Sequence, residues 1–330
     1  MSELRQDLVS GDWIIMAPER LRRPHDFVSK RRIRKPSPKA GCPFEASAFK
    51  KDKSWSPVLA FPNLQDWRVI VTPNKYPALT RRETCAKVFK RGPYNLREGV
   101  GWHDVVVTRD HQKNFADLSE GEALEVLQVM QARYKMMAKD KCVLYTSTFF
   151  NWGASAGASI YHPHYQIISL PIIPPDVQHS ISGTESYFRK NKKCAHCEMT
   201  KYELREGERV VAENSRALAF APFFSRQPFE IRVAPKKHLP YFEESRAEDL
   251  RGIVSVLQKA IRKITKHLGD PDFNFFIHTA PFRRKGRYDH YHWHIELLPK
   301  ITVPAGFELS TGVEINVIDP NSAAAILRRP

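Results

Sequence analysis

Phe149-Phe150-Asn151-Trp152-Gly153-Ala154-Ser155-Ala156-Gly157-Ala158-Ser159-Ile160-Tyr161-His162-Pro163-His164-Tyr165-Gln166-Ile167-Ile168-Ser169-Leu170-Pro171 decides how this chain is read. Asn151 to Ser159 is small, polar and glycine-bearing, which suits a loop whose backbone approaches a ligand closely. His162 to Leu170 has the composition of a strand. Alternate side chains of a strand share a face, so His162, His164 and Gln166 are expected to point the same way. Two imidazoles and an amide beside a glycine loop suit phosphate chemistry. A strand with two surface histidines is the plainer alternative, and the preceding loop weighs against it.

Working outward, the same order of features occurs twice. Before the quoted stretch come strand-like segments at Trp67–Thr72 and Asp104–Thr108, with Arg109-Asp110-His111 directly after. Ser119 to Met137 has helical periodicity, and Ser119 with Glu122 forms a capping-box pattern. Leu144 to Phe150 is expected as the strand leading into the loop. After the stretch, Cys194-Ala195-His196-Cys197 opens a second series. A strand at Phe229–Ala234 runs into Pro235-Lys236-Lys237-His238. A helix follows at about 247–268, then a strand at Phe273–His278 and the run His290-Tyr291-His292-Trp293-His294-Ile295-Glu296-Leu297-Leu298-Pro299. His111 and Pro171 are 171 − 111 = 60 positions apart, and His238 and Pro299 are 299 − 238 = 61 apart. Agreement in order, spacing and motif implies an internal duplication. The expected fold class is α+β, with antiparallel strands and a helix on one face in each half. The expected halves are 1–175 and 190–330. Residues 1–18, around Trp13 to Met16, are expected to form an edge strand.

Bulk properties narrow the partners. The 330 residues are 42% hydrophobic, and the formal net charge is +16. That charge implies anionic partners, either nucleotides, sugar phosphates or nucleic acid. Part of the excess sits in the runs Arg20–Lys35 and Arg283–Arg287. The first could be a solvated tail or a phosphate-binding arm. No apolar stretch reaches membrane-spanning length and no N-terminal signal pattern stands out, so the expectation is a cytoplasmic protein without a membrane partner. Five cysteines, two in a Cys-x-x-Cys, fit a reducing compartment with metal ligation. Cys85 and Cys142 have no such context and are expected to be ordinary thiols.

Neutral imidazole is a good nucleophile near pH 7, and a nucleotidyl imidazole stays reactive enough to be displaced. His164 therefore suits a two-step nucleotide transfer. Gln166 cannot act as acid or base, but its amide can donate to a phosphoryl oxygen. That suits leaving and entering groups of low basicity, such as sugar phosphates, and argues against hydrolysis. The amides of Gly153–Ser159, Gly157 among them, and the Ser159 hydroxyl could hold phosphates. Cys42, Glu45, His111 and His162 could ligate a metal in the first half. Cys194, Cys197 and His238, with a histidine of 290–294, could do so in the second. Tetrahedral zinc takes such sets, and closed four-ligand sites are structural.

These motifs (Cys-Pro-Phe, Asp-His, Asn-x-Gly-x-x-x-Gly-x-Ser, His-Pro-His-x-Gln, then Pro-Lys-x-His and His-x-His) resemble the galactose-1-phosphate uridylyltransferase family of the histidine-triad superfamily. The resemblance covers nearly the whole chain. It implies two tandem histidine-triad-like units, Zn2+, and a homodimer. It further implies that His164 becomes nucleotidylated, that Gln166 and Ser159 contact phosphate, and that Asn151, Asn74, Arg20 and Arg23 bind substrate. Cys42, Glu45, His111 and His162 fall on its first metal site. Cys194, Cys197, His238 and His292 fall on its second, although strict internal symmetry favours His290. The implied substrates are a nucleoside diphosphate sugar and a hexose 1-phosphate. Relatives acting as adenylyl-sugar or dinucleoside-polyphosphate phosphorylases form one alternative. A non-catalytic zinc module binding nucleic acid forms another, although no nucleic-acid motif is present.

Overall fold

Alternation decides the strands, and capping and 3.6-residue stripes decide the helices. The computed structural model describes all residues except 21–33, 35, 52–55 and 284. Among the described residues fifteen strands are formed: β1 Glu3–Gln6, β2 Trp13–Met16, β3 Leu59–Phe61, β4 Val69–Pro73, β5 Val88–Arg91, β6 Tyr94–Arg97, β7 Trp102–Thr108, β8 Tyr145–Trp152, β9 His164–Leu170, β10 Val210–Glu213, β11 Ala217–Phe220, β12 Ile231–Pro235, β13 Phe273–His278, β14 His294–Pro299 and β15 Ile315–Asn316. The helices are α1 Ala46–Lys51, α2 Glu120–Met137, α3 Pro175–Asn191, α4 Ala195–Glu206, α5 Ala247–Leu268, α6 Gly306–Thr311 and α7 Pro320–Arg328. None is long and apolar enough to cross a membrane, among the described residues.

Ten strands form one antiparallel sheet in the order β10-β11-β12-β14-β13-β8-β9-β7-β4-β3. Read outward from the β8–β13 seam, one side runs β8-β9-β7-β4-β3 and the other β13-β14-β12-β11-β10. The two sides have the same connectivity, with α2 preceding β8 and α5 preceding β13. The duplication is therefore present in the fold. Pairing of β8 with β13, from Phe273 opposite Trp152 to Ile277 opposite Thr148, covers two strand edges that would otherwise be open.

One face of this sheet is apolar and lies under α2 and α5. Phe150, Tyr165 and Ile167 bury there beside Phe275, Ile295 and Leu297. Helix α5 contributes Leu250, Ile253, Leu257, Ile261, Ile264 and Leu268, a stripe at helical spacing that is fully buried. Helix α2 begins at the expected capping box, where Ser119 Oγ accepts the Glu122 N–H and Glu122 accepts the Ser119 N–H. The opposite face carries His164, Gln166, His294 and Glu296, because these alternate with Tyr165, Ile167, Ile295 and Leu297.

Three expectations change. Strand β2 is central in a small sheet ordered β1-β2-β15, since β15 returns from near the C-terminus and pairs with it in parallel. Helices α3 and α4 were not expected. Cys194 is the N-cap of α4, so the Cys-x-x-Cys lies on a helix start. Cys85 and Cys142, 57 residues apart, form a disulfide and are not ordinary thiols. Folding brings the segment before the β5–β6 hairpin to the turn after α2, a proximity that spacing does not reveal. The bond also weakens the inference of a reducing compartment from cysteine usage. Replacing both cysteines by serine is expected to lower stability by about 2–4 kcal/mol, measured by denaturant unfolding, because the unfolded chain loses a long covalent loop.

Candidate active site and metal centres

Strand β9 starts at His164, two residues later than the sequence suggests. Pro163 separates it from His162, which lies outside the ladder with its ring towards Cys42, Glu45 and His111. On β9, His164 stands opposite Val107 and Gln166 opposite Val105. The Nδ1 of His164 lies 2.9 Å from the His162 carbonyl oxygen. A carbonyl only accepts, so Nδ1 carries the hydrogen and Nε2 keeps the lone pair. Burial pushes the His164 pKa below the ordinary imidazole value, against an upward pull from that carbonyl. The ring is therefore neutral at pH 7. Phe44 packs against it, with ring centroids 4.9 Å apart.

The glycine loop is a short 3₁₀ turn, Ala154–Ala156, between Gly153 at φ 87° and Gly157 at φ 88°. A Cβ on Gly153 would lie 1.9 Å from Asp272 Oδ1, so that position admits only glycine. The second half of the chain holds this loop. Asp272 accepts the Ser155 N–H at 2.9 Å and the Ser155 hydroxyl, and Arg34 Nη1 donates to Asp272 at 2.7 Å. Asn274 donates to Asn151 Oδ1 and to the Ala156 carbonyl, both at 2.8 Å. Gly157 and Ser159 remain exposed. Asn151, on β8, lies one step beyond the Phe150–Tyr165 pair and so beside His164.

Asn74 follows β4 in a tight turn, with its Oδ1 accepting the Tyr76 N–H. Its amide nitrogen lies 3.0 Å from His103 Nε2, and that nitrogen is 2.9 Å from Gln166 Oε1. Sequence reasoning missed His103. The signal was the alternation of His103, Val105 and Val107, which puts His103 on the face of β7 that borders Gln166. Arg20 ends an exposed 3₁₀ turn, and no described contact joins it to the other candidates. Arg23 lies outside the described residues.

Both expected ligand sets converge. Donor atoms of Cys42, Glu45, His111 and His162 lie within 4.8 Å of one another, as do those of Cys194, Cys197, His238 and His292. In the first set, His162 Nε2 donates to the Thr108 carbonyl at 2.7 Å and His111 Nε2 to the Ser37 carbonyl at 2.9 Å. Both Nδ1 atoms then carry lone pairs, yet they face each other at 3.2 Å. Glu45 Oε1 is 2.8 Å from His111 Nδ1. Lone pairs and a carboxylate aimed at one point fit a cation between them. In the second set, His238 Nε2 donates to the Asp289 carbonyl at 2.8 Å, which leaves its Nδ1 3.2 Å from Cys197 Sγ. His292 Nδ1 is 3.3 Å from the same sulfur. The Cys197 thiol, with His238 and His292 beyond it, holds Cys194 well below the usual thiol value despite burial.

His290 is not in this set. It sits between Phe188 and Tyr288 instead. The reason is register. Strand β14 starts at His294 as β9 starts at His164, and each grouped histidine lies two residues earlier. His292 is therefore the counterpart of His162, and matching the terminal prolines misaligns the halves by two. By the same register His294 answers to His164 and Glu296 to Gln166. His294 Nδ1 faces the His292 carbonyl oxygen at 3.1 Å, as in the first half. The chemistry differs, because Glu296 accepts from Arg232 at 2.9 Å and also from Arg226. Guanidinium groups of the chain itself occupy the carboxylate there. Trp13 and Ile14 of β2, and Asp7 just after β1, help to line the cavity of about 230 Å3 above it.

A family profile described as galactose-1-phosphate uridyl transferase, N-terminal domain, matches residues 1–174, and a domain of unknown function (DUF4921) matches 95–328. The ADP-glucose phosphorylase of Arabidopsis thaliana is 34% identical over 99% of this chain and 92% of its own. The galactose-1-phosphate uridylyltransferase of Thermotoga maritima is 27% identical over 99% of this chain and 98% of its own. The crystal structure of an Arabidopsis ADP-glucose phosphorylase with bound ADP-glucose superposes with a TM-score of 0.84 at 29% identity, covering 100% of this chain and 99% of that one. A uridylyltransferase structure gives 0.76 at 25% identity, covering 99% and 97%. The repeated histidine strands and these likenesses define a nucleotidyltransferase of duplicated α+β architecture. The chain belongs to the galactose-1-phosphate uridylyltransferase family.

Proposed function

We propose that His164 carries a nucleoside monophosphate between a nucleoside diphosphate hexose and an anionic acceptor. The observation that carries this is the buried, neutral His164 ring, held by the His162 carbonyl with its Nε2 lone pair available. Nε2 attacks the α-phosphorus, the bond to the hexose 1-phosphate oxygen breaks, and the electron pair leaves with the sugar phosphate. The acceptor then attacks the nucleotidyl histidine in reverse. Both leaving and entering oxygens are weakly basic, so no proton donor is required and Gln166 suffices as an amide donor. Asn151, Gly157 and Ser159 contact the phosphates, with Arg20, Arg23 and Asn74 on the substrate.

Uridylyl transfer to hexose 1-phosphate, galactose 1-phosphate in particular, is the main reading. The family profile and the Thermotoga relative support it. A second reading, an adenylyl-sugar phosphorylase with phosphate as acceptor, is favoured by the 34% identity to the Arabidopsis enzyme over nearly all of both chains. One assay separates them. UDP-glucose and ADP-glucose are each supplied with galactose 1-phosphate and inorganic phosphate together. Product on the hexose 1-phosphate supports the first reading, a free nucleoside diphosphate supports the second, and release of nucleoside monophosphate to water contradicts both.

The reading includes one active centre, in half 1–175, with half 190–330 as its structural partner. Zn2+ fits both ligand sets, where it supplies cross-links between chain segments. Cys42, Glu45, His111 and His162 would hold one ion, and Cys194, Cys197, His238 and His292 the other. The homodimer of the family belongs to the same reading and is checked by sedimentation. So does a cytoplasmic setting, supported by Cys42, Cys194 and Cys197 standing as free cysteines within the ligand sets. The Cys85–Cys142 bond weighs the other way, and thiol trapping in freshly lysed cells decides it.

A further inference from the structure

The backbone N–H of Ala78 lies 3.0 Å from His103 Nδ1. A backbone N–H only donates, so Nδ1 holds the lone pair of the ring and, in the neutral imidazole, Nε2 holds the hydrogen. Two amides approach that hydrogen. Asn74 cannot take it, because its oxygen accepts the Tyr76 N–H and its nitrogen, itself a donor, faces Nε2 at 3.0 Å. That contact alone favours the other tautomer, against the Ala78 and Gln166 contacts that both require this one. Gln166 can, through Oε1 at 2.9 Å. His103 stands diagonally across the β7–β9 ladder from Gln166, on the same face, where such neighbours reach one another.

We infer that His103 is a positioning residue that fixes the facing of the Gln166 amide, turning its NH2 group towards the transferred phosphoryl group. This rests on the role proposed for Gln166 above. An amide free to turn over would place its carbonyl oxygen against a phosphoryl oxygen in half of its orientations. A ring hydrogen aimed at Oε1 removes that orientation before substrate arrives. The register counterparts in the second half are Glu230 and Glu296. Two carboxylates cannot reproduce this pairing, and arginines engage them instead.

Two measurements test the inference. The first needs no activity. Long-range proton–nitrogen correlation spectra of protein labelled at histidine nitrogen report each ring's tautomer, with His103→Gln used to assign the His103 signals. The inference requires an unprotonated Nδ1 and a protonated Nε2, and the opposite tautomer overturns it. The second is the rate of nucleotidyl-enzyme formation in rapid-quench experiments. Loss of a supporting partner in His103→Phe slows this step by about 10-fold or more. Loss of the phosphate donor in Gln166→Ala slows it by about 100-fold. The double variant should be no slower than Gln166→Ala alone, and His103→Gln, which keeps a donor at the Nε2 position, should recover most of the rate. Losses that multiply in the double variant overturn the inference and leave His103 a merely structural residue. If the unaltered protein forms no adduct with either nucleotide sugar, the proposed function fails. The tautomer then decides the His103–Gln166 geometry by itself.

Discussion

Replacing His164 by asparagine is expected to reduce nucleotidyl exchange by at least about 10⁴-fold, because it removes the nucleophile. The side chain sits at the first residue of β9, with its hydrogen on the His162 carbonyl and its lone pair on Nε2. Asparagine can keep the Nδ contact to that carbonyl but has no atom at the Nε2 position. It belongs to neither ligand set, so metal content should not change. Circular dichroism and metal analysis of the variant should match the parent while steady-state exchange disappears. Gln166→Ala should lose less, since it removes one donor and leaves the covalent route open. An exchange rate within about tenfold of the parent would show that another group carries the nucleotide.

The largest stability effect is expected from Cys197→Ser. Cys194 and Cys197 open α4, His238 follows β12, and His292 precedes β14, so one ion would tie three separate segments. Serine is a poor ligand for the metals that thiolates select. The variant should lose one equivalent of metal and roughly 3–5 kcal/mol of stability, since the buried His292 lone pair loses its partner as the cross-link is lost. Thermal unfolding with and without chelator, beside metal analysis, checks this. Chelation should destabilise the parent strongly and Cys197→Ser much less. His290→Ala should keep its metal, because His290 packs between Phe188 and Tyr288 outside the set.

Where local signals agreed, the sequence was a good guide. Helix α5 and strand β13 have the bounds that periodicity implies. Helix α2 begins where Ser119 and Glu122 form their capping box. The repeat was visible because a duplicated unit repeats its strand order, its helix and its histidines together. What escaped is mostly non-local. The β8–β13 seam joins strands more than a hundred positions apart, and no pattern within either strand names its neighbour. Cys85 and Cys142 meet only through tertiary folding. Strand β2 gains its second neighbour, β15, from the far end of the chain. Helix α3 has few buried positions, Val177, Ile181 and Thr184, so its apolar stripe is thin. In the run 290–294 three histidines alternate, and composition alone fits either of two registers. The ladder between β13 and β14, with His278 opposite His294, resolves that ambiguity and brings His292 to the cysteines. His103 was missed because a single histidine in a strand carries no motif. Its meaning comes from Ala78 on one side and Gln166 on the other.

The central claim is a covalent nucleotidyl-His164, and intact-protein mass spectrometry tests it most directly. The protein would be incubated with UDP-glucose and, separately, with ADP-glucose, in the absence of any acceptor. A mass gain of one nucleoside monophosphate with at least one donor, absent in His164→Asn, is the predicted result, and the size of the gain identifies the base. No gain with either donor from folded, metal-replete protein, or an undiminished gain in His164→Asn, would contradict it.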